Sequence, residues 1–195
     1  MALLNSTPKK LVAGAVVPLA VLASGGLVWQ SSYSAFSATT ASPTNNWTAG
    51  TVALADDDSN TALFTATNLK PGASGNKCIV VTSTGSLAST VKLYGTSYST
   101  TKSLADSLNL KVEEGSGGSF SNCTGFTAGS TIYDGAASAF GTSKTDFASG
   151  VGTWAPAGGT VTKTYKVTYA LSASTPDSAQ GGTAALGFTW ESQNS

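Results

Sequence analysis

Val161-Thr162-Lys163-Thr164-Tyr165-Lys166-Val167-Thr168-Tyr169-Ala170-Leu171 places Val161, Lys163, Tyr165, Val167, Tyr169 and Leu171 on odd positions and Thr162, Thr164, Lys166, Thr168 and Ala170 on even ones. Side chains along a strand alternate between faces, so large residues on one parity against small polar ones on the other predict a half-buried β-strand. The same period recurs on both sides. Leu108, Leu110 and Val112 alternate with Asn109, Lys111 and Glu113, and Ala184, Leu186, Phe188 and Trp190 alternate with Ala185, Gly187 and Thr189. Further strands are predicted at 50–55, 61–67, 77–83 and 87–95, with Gly and Asn turns between them. Seven or more short strands predict an all-β fold, an antiparallel β-sandwich of Ig-like or jelly-roll type. A short helical insertion is expected within Thr131 to Phe147, where Ala136, Ala137, Ala139 and Phe140 cluster.

Composition narrows the function. The 195 residues include ten Lys, no Arg, ten acids and no His, and only 10% are charged, against roughly 25% in an ordinary domain. Without His there is no Ser-His-Asp or Cys-His pair and no His-ligated zinc. Without Arg, and with Lys balanced by acids, nucleic acid finds no electrostatic footprint. Recognition and scaffolding remain.

Lys9 and Lys10 precede a nearly charge-free apolar run from Leu11 to Trp29, followed by small residues at Ser32-Tyr33-Ser34. This is the order of a secretory signal peptide, predicted to occupy residues 1–34 with cleavage between Ser34 and Ala35. An uncleaved anchor is the alternative, since about 19 apolar residues could span a bilayer, but Pro18 and Gly25-Gly26 break the helix. Loss of Lys9 and Lys10 leaves eight Lys against ten acids and a net charge of −2, with no membrane attachment after cleavage. Residues 35–46 are polar, contain Pro43 and carry one aromatic, Phe36, which reads as a detachable extended arm ahead of a β-sandwich domain at 47–195. Cys78 and Cys123, an even count in an exported chain, are expected to form a structural disulfide.

Several residues compete for a site. Asp56, Asp58 and Asn60 have the D-x-D-x-N spacing of a calcium loop, but the following Gly and the distal Glu are missing. A solvated hairpin turn between strands 50–55 and 61–67 is the favoured reading, with no cofactor and calcium as the alternative. Trp154, in Gly152-Thr153-Trp154-Ala155-Pro156, is the aromatic expected in a loop as a surface contact, whereas Tyr165, Tyr169 and Trp190 are expected in the core. Glu113, Glu114, Asp134 and Asp146 are the other acids, with Glu113-Glu114 read as a polar strand end.

A family resemblance runs through the chain. Tyr33-Ser34-Ala35-Phe36-Ser37, Trp47-Thr48-Ala49-Gly50-Thr51-Val52-Ala53-Leu54, Asn68-Leu69-Lys70-Pro71-Gly72, Gly85-Ser86-Leu87-Ala88, Gln180-Gly181 and Phe188-Thr189-Trp190-Glu191 resemble TasA and camelysin proteins. Residues 115–160 do not share in it. The resemblance implies a jelly roll, export from a Gram-positive bacterium, maturation by a SipW-type signal peptidase, and assembly into biofilm-matrix fibres in the extracellular matrix or on the cell surface. In that assembly the freed arm, Ala35, Phe36, Ser37 and Ala38, adds as a strand to the next copy, so the partner is the chain itself. Two rivals stand beside this expectation: a monomeric surface module binding carbohydrate or cell wall through Trp154, and the metallo-endopeptidase that the camelysin name implies. The second has no His-Glu-x-x-His to support it.

Overall fold

Val161–Leu171 is strand β7, the centre of a five-stranded antiparallel sheet. Its inward residues Tyr165, Val167 and Leu171 are buried, so the alternation was created by one face meeting a core. The computed structural model describes Ser37–Thr40, by backbone alone, and residues 51–194. In chain order the elements are β1 (Ser37–Thr40), β2 (Leu54–Asp56), β3 (Ser74–Ser83), β4 (Ser89–Thr100), β5 (Leu108–Ser116), β6 (Thr127–Ala136), helix α1 (Ala137–Ser143), β7, and β8 (Ala184–Asn194). One sheet has the order β1-β8-β4 and the other β2-β3-β7-β5-β6.

The topology is a long hairpin rolled into two layers. β1 pairs with β8, β3 with β7, and β5 with β6. Between these, β4 pairs with an irregular segment at 151–156: Leu93 and Val151 exchange backbone bonds of 2.7 and 2.8 Å, and Val91 N–H and Ser89 N–H donate to Trp154 and Pro156 carbonyls at 2.9 Å. Rolling then brings β8 beside β4 and β7 beside β5. This is the jelly roll, with β2 added at one edge. Between the layers Ile79, Val81, Leu93, Val112, Tyr165 and Trp190 form the core, with the Tyr165 and Trp190 rings 5.4 Å apart across it.

The short helix expected within 131–147 forms at Ala137–Ser143, directly after β6, whereas two expected strands need correction. The helix docks through fully buried Phe140 and through Gly141, where any Cβ would collide with the Tyr98 ring. The strand predicted at 50–55 shortens to Leu54–Asp56 and pairs with β3, so no hairpin joins it to 61–67. Residues 61–67 form no strand at all, since no described strand lies alongside to supply a ladder.

The Cys78–Cys123 disulfide forms, with Cα atoms 5.3 Å apart. It ties residues 117–126 to β3, and the Asp57 carboxylate adds two bonds, accepting from Val80 N–H and Phe120 N–H at 2.8 Å each.

Candidate assembly site at the open side of the sandwich

β1 lies on β8 in antiparallel register, from Ser37 opposite Gln193 to Thr40 opposite Trp190. The predicted arm residues Ser37 and Ala38 are therefore in this strand, while Ala35, Phe36, the Ser34/Ala35 cleavage site and the whole signal segment lie outside the described residues. β8 continues beyond the pairing. Its Ala184–Thr189 stretch has β4 on one side and, among the described residues, no strand on the other. β3 repeats the situation in the facing sheet: β2 covers Val81–Ser83, and Ser74–Ile79 has no described strand on that side.

Beside the β8 edge, and without lining from β3, a cleft of about 1040 Å³ enters the sandwich. Phe64, Leu69, Leu108, Tyr169, Leu186 and Phe188 line it, with Phe64 edge-on to Tyr169 at 5.1 Å. Its far end is closed by the 175–183 loop, which Thr101 N–H holds through the Thr183 carbonyl (2.8 Å) and Lys102 through the Gln180 carbonyl (2.6 Å). Apolar walls beside the Ala184–Thr189 edge, which no described strand pairs, would accommodate an extended peptide whose amides bond to the edge while alternate side chains enter the cleft.

The other candidate residues lie elsewhere. Trp154 is buried, only 7% exposed, and is a core residue rather than the expected surface contact. The Trp154 and Pro156 carbonyls are bonded to β4, and in this strand-like alternation both side chains are buried while Ala155 between them is exposed. Glu113 pairs with Lys111 at 2.8 Å on the outer face, Asp134 accepts from Asn109 at 2.9 Å, and Asp146 accepts from Ser149, which holds its carboxyl below the usual range. None of them lines the cleft. Glu114 departs most from expectation. Strand β5 does not end at Glu113-Glu114 but continues to Ser116, and Glu114 faces inward at 2% exposure. Its carboxylate accepts from Thr153 N–H (3.0 Å) and Thr153 Oγ1 (2.7 Å), clamping segment 151–156 to the opposite sheet. Parity with Leu110 and Val112 was the available signal for this.

Asp56, Asp58 and Asn60 form a turn in which Asp58 accepts from Asn60 N–H at 2.7 Å. Among the described residues, no group of three or more acids or cysteines is arranged to hold a metal ion. Burial, and then the Asp58 carboxylate beside it, push Asp56 up to about 6. A carboxyl raised on folding contributes stability fully present below its unfolded value of 3.8 and lost as pH rises through about 6. Asp56→Asn is therefore expected to flatten the fall in stability between those values and, since the group is half exposed, to raise stability at neutral pH by about 1 kcal/mol. Urea midpoints at acidic and neutral pH check this. A calcium-dependent rise in melting temperature that Asp58→Ala abolishes would mean instead that the turn holds a cation.

No protein-family model and no curated protein sequence matches this chain.

Proposed function

We propose that this chain is an exported structural subunit that polymerises head to tail, its N-terminal arm adding as a strand to the β8 edge of the next copy. The observation that carries the reading is β1: four residues at the very edge of a three-stranded sheet, directly after the predicted cleavage site. So short an edge strand is held weakly. A neighbour's arm has the same sequence and offers β8 the same hydrogen bonds, so exchange loses no contacts. The Ala184–Thr189 edge, unpaired by any described strand, and the cleft let a donated strand gain more. Because the donating and accepting surfaces differ, the contact is heterologous and propagates without closing. The low charge of the chain, 10% of residues, limits repulsion between stacked copies.

The resemblance to TasA and camelysin proteins supports the same reading and adds maturation by a SipW-type peptidase and a place in the extracellular matrix of a Gram-positive bacterium. The absence of His speaks against the endopeptidase. A monomeric binding module keeps one supporting observation, the size of the cleft, but loses Trp154 as its contact.

Electron microscopy and light scattering on a chain beginning at Ala35, compared with one beginning at Thr48, test the proposal. Filaments are expected from the first and monomers from the second. Monomers from both over a wide concentration range would sink strand donation and leave the binding module.

A further inference from the structure

Thr61-Ala62-Leu63-Phe64-Thr65-Ala66-Thr67 has the composition of a strand, with three Thr, no Gly, no Pro and no charge. In the structure it belongs to no sheet, and the chain bends at Leu63 and at Asn68. Phe64 and Ala66 line the cleft while Thr65 between them does not, a short two-residue alternation that ends at Thr67, which also lines it, and Leu63 packs on the core. Yet from Ala62 to Leu69 no backbone group bonds to another described residue. The segment is held at its ends, by Thr61 N–H to the Asp58 carbonyl (3.0 Å) and by Gly72 N–H to the Leu171 carbonyl (2.9 Å), and in between by Phe64 against Tyr169. Both ends are hinges: Ser59 and Asn60 have φ of 52° and 62°, and Asn68 and Gly72 have φ of 54° and 84°.

We infer that Leu63–Thr67 is a latent strand that closes onto a strand donated into the cleft, so that the acceptor groove has two backbone walls, β8 on one side and this segment on the other. The inference rests on the strand-donation reading. The physical reason for an open state is energetic. Fixing one residue's backbone costs about 1–2 kcal/mol, and a backbone hydrogen bond returns a net of only about 0.5–1.5 kcal/mol. Pairing alone therefore does not order the segment. With an occupant in place, Phe64 and Ala66 gain apolar surface to cover, and burial adds about 25 cal/mol per Å² to the balance. Closure is thus contingent on the occupant, and assembly becomes tighter than β8 pairing alone provides.

Amide hydrogen exchange on the exported protein, before and after assembly, tests this. Peptides covering 62–68 and 184–189 are both expected to slow by at least about tenfold on assembly. Thr65→Pro, which removes an N–H that has no described partner, is expected to leave the melting temperature of the monomer unchanged and to raise the concentration needed for assembly about tenfold. Slowing at 184–189 without slowing at 62–68, or unaltered assembly by Thr65→Pro, overturns the latent strand and leaves strand donation standing. Assembly with no slowing at either peptide overturns both. If the Pro variant does not fold, the exchange result on the unaltered protein decides.

Discussion

Replacing Cys78 and Cys123 together by Ser is expected to lower the free energy of unfolding by about 4 kcal/mol, the chain-entropy value for a crosslink closing 45 residues. The melting temperature should fall on the order of 10 °C. The loss exceeds that of an ordinary surface change because the crosslink spans two different parts of the roll. β3 belongs to the central pairing with β7, whereas Cys123 lies in the long connection between β5 and β6. Residues 117–126 have no ladder of their own to hold them down. Beyond the disulfide they have the Phe120 N–H bond to Asp57, the Lys77 ammonium donating to the Phe120 carbonyl at 3.4 Å and lying 5.0 Å from its ring, and the Lys166 ammonium 5.8 Å from the Phe126 ring. Thermal unfolding of the double variant against its parent measures the effect. A melting temperature unchanged within about 2 °C would show that these contacts alone seat the loop and that the crosslink constrains little in the unfolded chain.

Truncating Glu114 to Ala is the second large effect, expected to cost about 3 kcal/mol. The carboxylate is buried in the sandwich, opposite Tyr165 in the β5–β7 register, and both its oxygens accept from Thr153. Removing it takes the acceptor from the amide and hydroxyl of Thr153, itself an exposed residue, and removes a buried side chain beside Tyr165. Glu114→Gln keeps the shape and one good acceptor, so its cost is expected to be smaller, about 1 kcal/mol. The order of the two variants is the informative part. Urea unfolding of both, with Thr153→Val to complete a double-mutant cycle, should give a coupling above about 1 kcal/mol. Additive losses would mean that the carboxylate is tolerated in the interior without holding segment 151–156 in place.

How far the amino acids announce this architecture differs from element to element. β7, β5 and β8 are legible because each has one wet and one dry face, and a period of two survives any choice of neighbours. Residues 61–67 carry the same kind of signal, yet no described ladder includes them. Composition registers the propensity to pair, not the presence of a partner. At Ala136-Ala137-Ala139-Phe140 the local helical signal is short but real, and a helix forms at Ala137–Ser143 as soon as β6 ends at Ala136. Trp154 was misplaced for a related reason. Flanked by Gly152 and Pro156 it reads as loop, and it is irregular, but its neighbours bond to β4 and it serves as a strand of the roll in all but regularity.

The acids show the same division. Asp56, Asp57 and Asp58 are legible as a turn, because Asp and Asn stabilise such conformations with their own side chains. What each one does is not local. Asp57 reaches 23 positions to Val80 and 63 to Phe120, and Glu114 reaches 39 to Thr153.

By itself the sequence determined the β class, most of the strands and the disulfide between its two cysteines. These follow from period, composition and count, which need no knowledge of distant contacts. The tertiary structure alone decided the rolled pairing of β1 with β8, β3 with β7 and segment 151–156 with β4, the burial of Trp154 and Glu114, and the cleft beside the β8 edge. Each of those depends on which residues, far apart along the chain, come to share a ladder or face one another across the sandwich, and a strand carries the same alternating pattern whichever partner it finds.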